Sequence, residues 1–299
     1  MIVKRASVHR SHLPVLACAA ALALSGCGLS TAPILDPKGP VALAERDLLF
    51  DAITLMLIVI VPVFVMTFVF ARRYRASNTR ARYTPDWSYS VAIDAVIWLA
   101  PAAIVVALAT LVWQSTHRLD PYRELAATVE PLKVEVVAQD WKWLFIYPEQ
   151  NVASVNELAF EAGRPLSLRI TSDTVMNSFY VPALAGQIYA MAGMQTRLNL
   201  LADEPGTFAG RNAQFSGDGF ADQHFTARAL TKEDFASWVE TARAAPARLD
   251  QTAYDELAMP TIGHAVTHYS GVEPGLFDAI MAKYAAGPRA HTGDMSDAR

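Results

Sequence analysis

Cysteine is almost missing from this 299-residue chain: there are two, Cys18 and Cys27, both near the N-terminus. Everything beyond residue 27 is therefore without a disulfide of its own and without a thiolate metal ligand. Charged residues are sparse as well, at 18% of the chain, and no clustered stripe of Lys and Arg offers a face for nucleic acid. No internal repeat is visible. Apolar residues, by contrast, reach 53%, more than a soluble protein carries and fewer than a polytopic transporter. The charge that remains is unevenly placed. Residues 119–285 hold 12 basic and 21 acidic side chains, a net of −9, whereas the first 118 residues are basic. An acidic outer part is either an ordinary solvated surface or an attraction for a basic partner.

The N-terminus reads as a signal peptide. Lys4, Arg5 and Arg10 precede an apolar run from Leu13 to Leu24 that is too short to span a bilayer. The run ends in Leu24-Ser25-Gly26-Cys27, which resembles the bacterial lipobox. That resemblance implies cleavage before Cys27 and acylation of its thiol, so that the mature protein starts outside the cytoplasmic membrane. Two longer apolar stretches follow, Ala52 to Phe70 and Ala95 to Trp113, each of 19 residues. As helix each is about 28 Å long, which matches a hydrocarbon core of about 30 Å. Pro62 and Pro101 do not argue against spanning, because membrane helices tolerate kinks. The loop between the stretches carries Arg72, Arg73, Arg75, Arg80 and Arg82 against one acid, Asp86, ahead of Asp94 at the mouth of the second stretch. The positive-inside tendency makes that loop cytoplasmic and places everything after residue 114 outside.

From about residue 130 to 230 short strands alternate with turns. Lys133–Val137, Trp141–Tyr147, Leu166–Ile170, Arg197–Leu201 and His224–Leu230 read as strands, separated by Gly163-Arg-Pro, Glu204-Pro-Gly and Ser216-Gly-Asp-Gly. Such spacing suggests a β-sandwich or barrel of about 100 residues. Helical patterns come next: Lys232–Arg243, opened by Thr231 with Asp234 three residues on, then Ala253–Ala258 and Leu276–Ala285. The tail from Gly287 is small and polar and reads as disordered.

A two-helix hairpin followed by an external β-sandwich resembles subunit II of cytochrome oxidases, and ordered motifs carry the likeness through residues 27–285. Gln139-Asp-Trp-Lys-Trp resembles the family's aromatic strand. Thr171-Ser-Asp-Thr-Val-Met-Asn-Ser-Phe-Tyr-Val-Pro182 and Gln187-Ile-Tyr-Ala-Met-Ala-Gly-Met-Gln-Thr-Arg-Leu198 follow in order, and Ala213–Thr226 stands where the family has its copper loop. Trp141–Gln150 and Val175–Phe179 are most similar to the quinol-oxidase branch, the cytochrome o type. The resemblance implies a membrane plus all-β architecture: a transmembrane helical hairpin, a cupredoxin-like periplasmic sandwich and C-terminal helices. The segments are then a lipoprotein signal peptide (1–26), an external N-terminal segment (27–47), the hairpin (48–118), the cupredoxin-like domain (119–230), a C-terminal helical extension (231–286) and a disordered tail (287–299).

Relatives that accept electrons from cytochrome c hold a binuclear copper in a loop of the form Cys-x3-Cys-x3-His-x2-Met, with one more His upstream. Two bridging thiolates are needed because soft sulfur shares the electron between the metals. On that frame the cysteines fall at Phe215 and Gly219, the His at Gln223, the Met at Thr226 and the upstream His at Asn177. Gly217 stands where the family has a Glu that offers its backbone carbonyl. The frame implies a vacated site filled by Phe215, Asn177 and Gln223. His224, one residue off register, reads as a half-exposed strand histidine, since a slip of one turns a strand side chain to the other face. His264 and His268, four apart, have a spacing that suits a metal on a helix, but Gly263 and the lack of a third ligand argue against one. Met191 and Met194 read as fillers of core gaps. Trp141 and Trp143, two apart, read as sharing one strand face for core or subunit-interface packing.

Asp94 opens the second apolar stretch, where the family usually has a Glu near a proton path into subunit I. It is either a proton-path residue or an acid favoured by the helix dipole. Taken together, the resemblance implies subunit II of a proton-pumping ubiquinol oxidase in a bacterial inner membrane, without a cofactor or catalytic residue of its own. Haem and copper would lie in subunit I, and the partners would be subunit I, smaller membrane subunits, membrane lipid and, for the complex, ubiquinol. The rival readings are a copper-bearing subunit II that takes electrons from cytochrome c, and a lipoprotein binding module unrelated to respiration.

Overall fold

The protein is described by a computed structural model over residues 32–82, 84–127 and 129–285. The signal peptide, Cys18, Cys27 and the tail from 287 lie outside the described residues. Helix α1 runs Pro40–Arg73 and α2 runs Val91–Arg118, so both extend past the apolar stretches at each end. Pro40 begins α1 where no amide hydrogen is needed, and Arg72 and Arg73 face the negative end of its dipole. Both helices are long and apolar enough to cross a membrane, and their apolar windows are not buried by the rest of the chain.

Among the described residues, eleven strands form a two-sheet sandwich. They are β1 (Leu132–Gln139), β2 (Lys142–Tyr147), β3 (Val152–Val155), β4 (Glu157–Glu161), β5 (Leu166–Ser172), β6 (Asn177–Tyr180), β7 (Ile188–Ala190), β8 (Thr196–Leu200), β9 (Gly206–Asn212), β10 (His224–Leu230) and β11 (Thr267–Tyr269). One sheet has the order β11-β3-β2-β1-β5-β8 and the other β4-β10-β9-β6-β7. β1 and β5 run parallel, as do β4 and β10; the remaining pairs are antiparallel. The main core lies between the sheets, where Trp143, Phe145, Phe179 and Phe225 pack at centroid distances of 5.0–6.4 Å, with Trp143 edge-on to Phe179.

A second core covers the outer face of the six-stranded sheet. Val137, Leu144, Ile146 and Val155 pack there against Tyr254 and Leu257 of α4 (Gln251–Ala258) and Phe277 and Ile280 of α5 (Leu276–Ala285). Both faces of β2 are thereby covered, and all six of its residues are buried. Helix α3 (Lys232–Arg243) extends the main core with Phe235 and Trp238; the Thr231 hydroxyl caps it by accepting from the Asp234 amide at 3.1 Å. The chain after residue 230 is thus part of the sandwich, since β11 pairs with β3.

Two expectations fail here. Trp141 and Trp143 do not share a strand face. Asp140 and Trp141 form the two-residue turn between β1 and β2, because Gln139 pairs with Lys142. Trp141 has φ of 137°, a region that side-chain-bearing residues rarely enter, whereas Trp143 is fully buried. Lys142 between them is buried too and donates to the carbonyls of Asp140 (3.1 Å) and Met259 (2.7 Å). Burial holds its ammonium below the usual lysine range, against the pull of Asp140. Met191 and Met194 do not fill the core either: Met194 is exposed and Met191 half-buried. Their backbone carbonyls instead accept from the Thr171 hydroxyl at 3.2 and 2.8 Å.

Candidate functional site

The position that the copper frame marks out is built from the start of β6, the end of β9 and the loop leading to β10. Asn177, Asn212, Ser216 and Gln223 are all buried there. The Asn212 side-chain amide lies 2.7 Å from Asn177 Oδ1, 2.8 Å from Gln223 Oε1 and 3.1 Å from Ser216 Oγ. The Ser216 hydroxyl donates to Gln223 Oε1 at 2.8 Å, and Gln223 Nε2 donates to the Gln139 carbonyl at 3.2 Å. Asn177 Nδ2 donates to the Val175 carbonyl at 2.8 Å, and Asn212 Oδ1 accepts from the backbone amides of Ser178 and Gln214. The three amides therefore direct their hydrogen-bonding capacity at one another and at the backbone, as buried polar groups must.

The network thus brings Asn177 and Gln223 together through Asn212, and His224, beside Gln223, is exposed at the head of β10. Phe215 does not fill the site. It is 72% exposed, and its ring lies 5.6 Å from that of Phe220. The loop turns through Gly217 at φ 103° and a short 3-10 turn, Phe220–Asp222, which carries Phe215 outward. The indole of Trp141 covers this loop, with Nε1 donating to the Ser216 carbonyl at 3.0 Å. It lies so close to Gly219 that a side chain there would collide with the ring. Thr226 is half-buried, three residues along β10, and its amide donates to the Asn156 carbonyl rather than into the network. Asn212 and Ser216 were not singled out in the sequence, because neither position belongs to the ligand frame. The donor set is amide and hydroxyl, without thiolate, imidazole or thioether, and does not fit soft binuclear copper.

His264 and His268 are not on a helix. His268 lies on β11 with Nε2 2.9 Å from Glu157 Oε2, while His264 Nδ1 lies 2.7 Å from the carbonyl of Ala265 in a loop. Among the described residues no group of three His, Cys, Asp or Glu could hold a metal ion. Asp94 sits in the first turn of α2 and is half-buried, and among the described residues no side chain pairs with it.

Beside the amide network lies a carboxylate the sequence did not flag. The Asp173 carboxylate, only 5% exposed, takes the hydroxyls of Tyr254 (2.5 Å) and Tyr284 (3.0 Å) and the Lys283 ammonium (3.0 Å). Burial and the Asp173 charge push the Tyr284 hydroxyl up to about 12, and burial followed by Asp173 raises that of Tyr254 further.

The architecture defines a class: two apolar helices of spanning length carrying a β-sandwich whose outer face is closed by a C-terminal aromatic segment. That segment, residues 243–287, matches the COX aromatic-rich motif. The chain is 50% identical over 263 residues to the cytochrome bo(3) ubiquinol oxidase subunit 2 of Pseudomonas putida, covering 88% of this chain and 83% of that one. It is 48% identical over 266 residues to the ubiquinol oxidase subunit 2 of Acetobacter aceti, covering 88% and 85%. Among solved structures it is similar to the periplasmic domain of cytochrome oxidase subunit II of Bradyrhizobium japonicum. That match has 23% identity, covers 38% of this chain and 96% of that one, and has a TM-score of 0.36. The chain belongs to the ubiquinol oxidase subunit 2 family of the respiratory chain, as a two-pass membrane protein with a periplasmic domain.

Proposed function

We propose that this chain serves a proton-pumping ubiquinol oxidase as a subunit 2 without a copper centre or any other redox group. The observation that carries this reading is the buried amide network: Asn177, Asn212, Ser216 and Gln223 bond to one another where a copper relay would need thiolates and imidazoles. Ubiquinol dissolves in the bilayer and can deliver electrons directly to haem in subunit I, so an external relay is unnecessary. The chain then braces subunit I with its two helices and caps it with the sandwich, and oxygen is reduced to water at the haem and copper of subunit I. An acidic outer domain suits docking of a basic cytochrome c, but the donor set weighs against that rival.

The test is metal analysis of the full-length chain purified in its complex. No copper should be attributable to this subunit, and chelator should leave the melting temperature of the outer domain unchanged. Stoichiometric copper in this chain, or a melt that falls on chelation, overturns the reading. Two finer assignments rest on the sequence: Cys27 as an acylated mature N-terminus and Asp94 as a cytoplasmic proton-path residue. For the first, mass spectrometry of the purified N-terminus should give a lipid-modified Cys27; a chain starting at Met1 with a free thiol rejects it.

A further inference from the structure

Two cavities at the junction of the helices and the sandwich share one wall. The upper, about 580 Å3, lies between the first turns of α1, the segment 118–126 and the sandwich loop at Gly186. The lower, about 400 Å3, continues between α1 and α2 past Leu48 and Leu111. Pro40, Ala44, Arg118 and Leu119 line both, so the two form one groove. Its depth relative to a bilayer follows from helix geometry. Arg118 lies five residues beyond the apolar run that ends at Trp113, about 7 Å along the axis at 1.5 Å per residue. A headgroup layer is about 5–8 Å thick on each side of the hydrocarbon. The groove therefore opens at the level of lipid phosphates, with its lower half reaching toward the acyl chains.

Both signs of charge are set around it. Arg118 and Arg123 line the upper cavity, are exposed, and form no ion pair among the described residues. Arg123 stands on a fixed segment, because the buried Asn199 side chain donates to the carbonyls of Pro121 (3.2 Å) and Arg123 (3.1 Å). Opposing them, Glu45, Asp120 and Glu124 line the upper cavity and Asp47 and Asp51 the lower, Asp47 being paired with Arg46 at 3.1 Å. We propose that this groove binds one zwitterionic phospholipid with a primary ammonium in its headgroup. The phosphate lies between Arg118 and Arg123, the ammonium faces the carboxylates, and one acyl chain runs between α1 and α2. Guanidinium groups match phosphate in charge and in planar donor geometry. A headgroup without an ammonium would leave the surrounding carboxylates unbalanced, and inorganic phosphate would leave the lower half, with its wall of Leu43, Leu48 and Leu111, unfilled.

The experiment uses the assembled complex, exchanged into nanodiscs of dioleoylphosphatidylethanolamine or dioleoylphosphatidylglycerol and examined by native mass spectrometry. It is independent of the copper question, since metal content is read separately. The wild type should retain one ethanolamine lipid that the variant Arg118→Ala with Arg123→Ala loses, while Arg118→Lys with Arg123→Lys keeps it. Arg72→Ala with Arg73→Ala, at the opposite end of α1, should change nothing. A photo-cross-linker at Leu119 should label lipid in the otherwise unaltered complex, which decides the matter even if the double alanine variant fails to assemble. An unchanged lipid count in an assembled double alanine variant, preferential retention of the glycerol lipid, or cross-linking of Leu119 to another subunit overturns the proposal.

Discussion

Glu157 carries more of the sandwich than its place in a short strand suggests. Its carboxylate accepts from Arg228 (2.9 Å), from the Trp238 indole (2.8 Å) and faces His268 Nε2 (2.9 Å), so that β10, α3 and β11 meet on one side chain of β4. Burial alone would raise its pKa, yet these hydrogen bonds and the Arg228 charge together hold it below the usual carboxylate range. A carboxylate depressed in the folded state stabilises above its unfolded value, about 4.3, and that contribution is lost as pH falls through the lower folded value. Thermal melts of the full-length chain should therefore be flat from about pH 7 to 5 in this component and decline in more acid solution. Glu157→Gln should cost about 1.5–3 kcal/mol at pH 7, the range for hydrogen bonds to a charged group, and flatten the acid decline. Equal melts for variant and wild type at pH 7 would remove Glu157 from this role. At the copper-frame positions the same scale shows what sequence can and cannot carry. Asn177 and Gln223 are both buried, one at the start of β6 and the other just before β10. The outward turn of Phe215 was not legible, since it depends on Gly217 at positive φ and on the Trp141 indole already lying over the loop.

Among the elements, the C-terminal aromatic segment acts as a clamp on the loop that leads into the amide network. Tyr254 of α4 and Lys283 and Tyr284 of α5 converge on Asp173, whose own amide donates to the Ala138 carbonyl at the end of β1. Tyr254→Phe removes the shortest of these bonds from a largely buried carboxylate and should cost about 1–3 kcal/mol. Hydrogen exchange should quicken in residues 172–177 and in α4 together. Faster exchange confined to α4 would mean that the clamp does not reach the loop. The ends of α3 and α5 were readable in advance, α3 because the Thr231–Asp234 cap announces it. The start of α4 was not, since Asp250, which accepts from the Ala253 amide at 2.9 Å, stands outside any apolar period. Five of the eleven strands showed in the sequence. The others, such as Val152–Val155, Asn177–Tyr180 and Thr267–Tyr269, are three to seven residues long. Their pairing is set by distant partners rather than by local alternation. β2 shows no alternation at all because α4 and α5 cover its second face.

At the scale of the whole molecule, the spanning helices leave Phe68 and Trp98 73% and 77% exposed, surface that only lipid or other subunits can cover. The arginine-rich loop fixes their direction, which puts Asp94 at the cytoplasmic end of α2. Its position in the first turn suits the helix dipole, and a dipole role predicts an effect on assembly alone. A proton role predicts something different, because a carboxyl beside an oxidase core can bind and release the protons that oxygen reduction consumes, and an amide cannot. Asp94→Asn should then slow quinol oxidation several-fold at full haem content, while Asp94→Glu, which keeps the carboxyl and adds one methylene of reach, should retain most turnover. Turnover that falls only in proportion to haem content assigns the residue to the dipole. Unchanged turnover in a fully assembled Asp94→Asn complex dismisses the proton role, because the chemistry would then proceed without an ionisable group at that helix end.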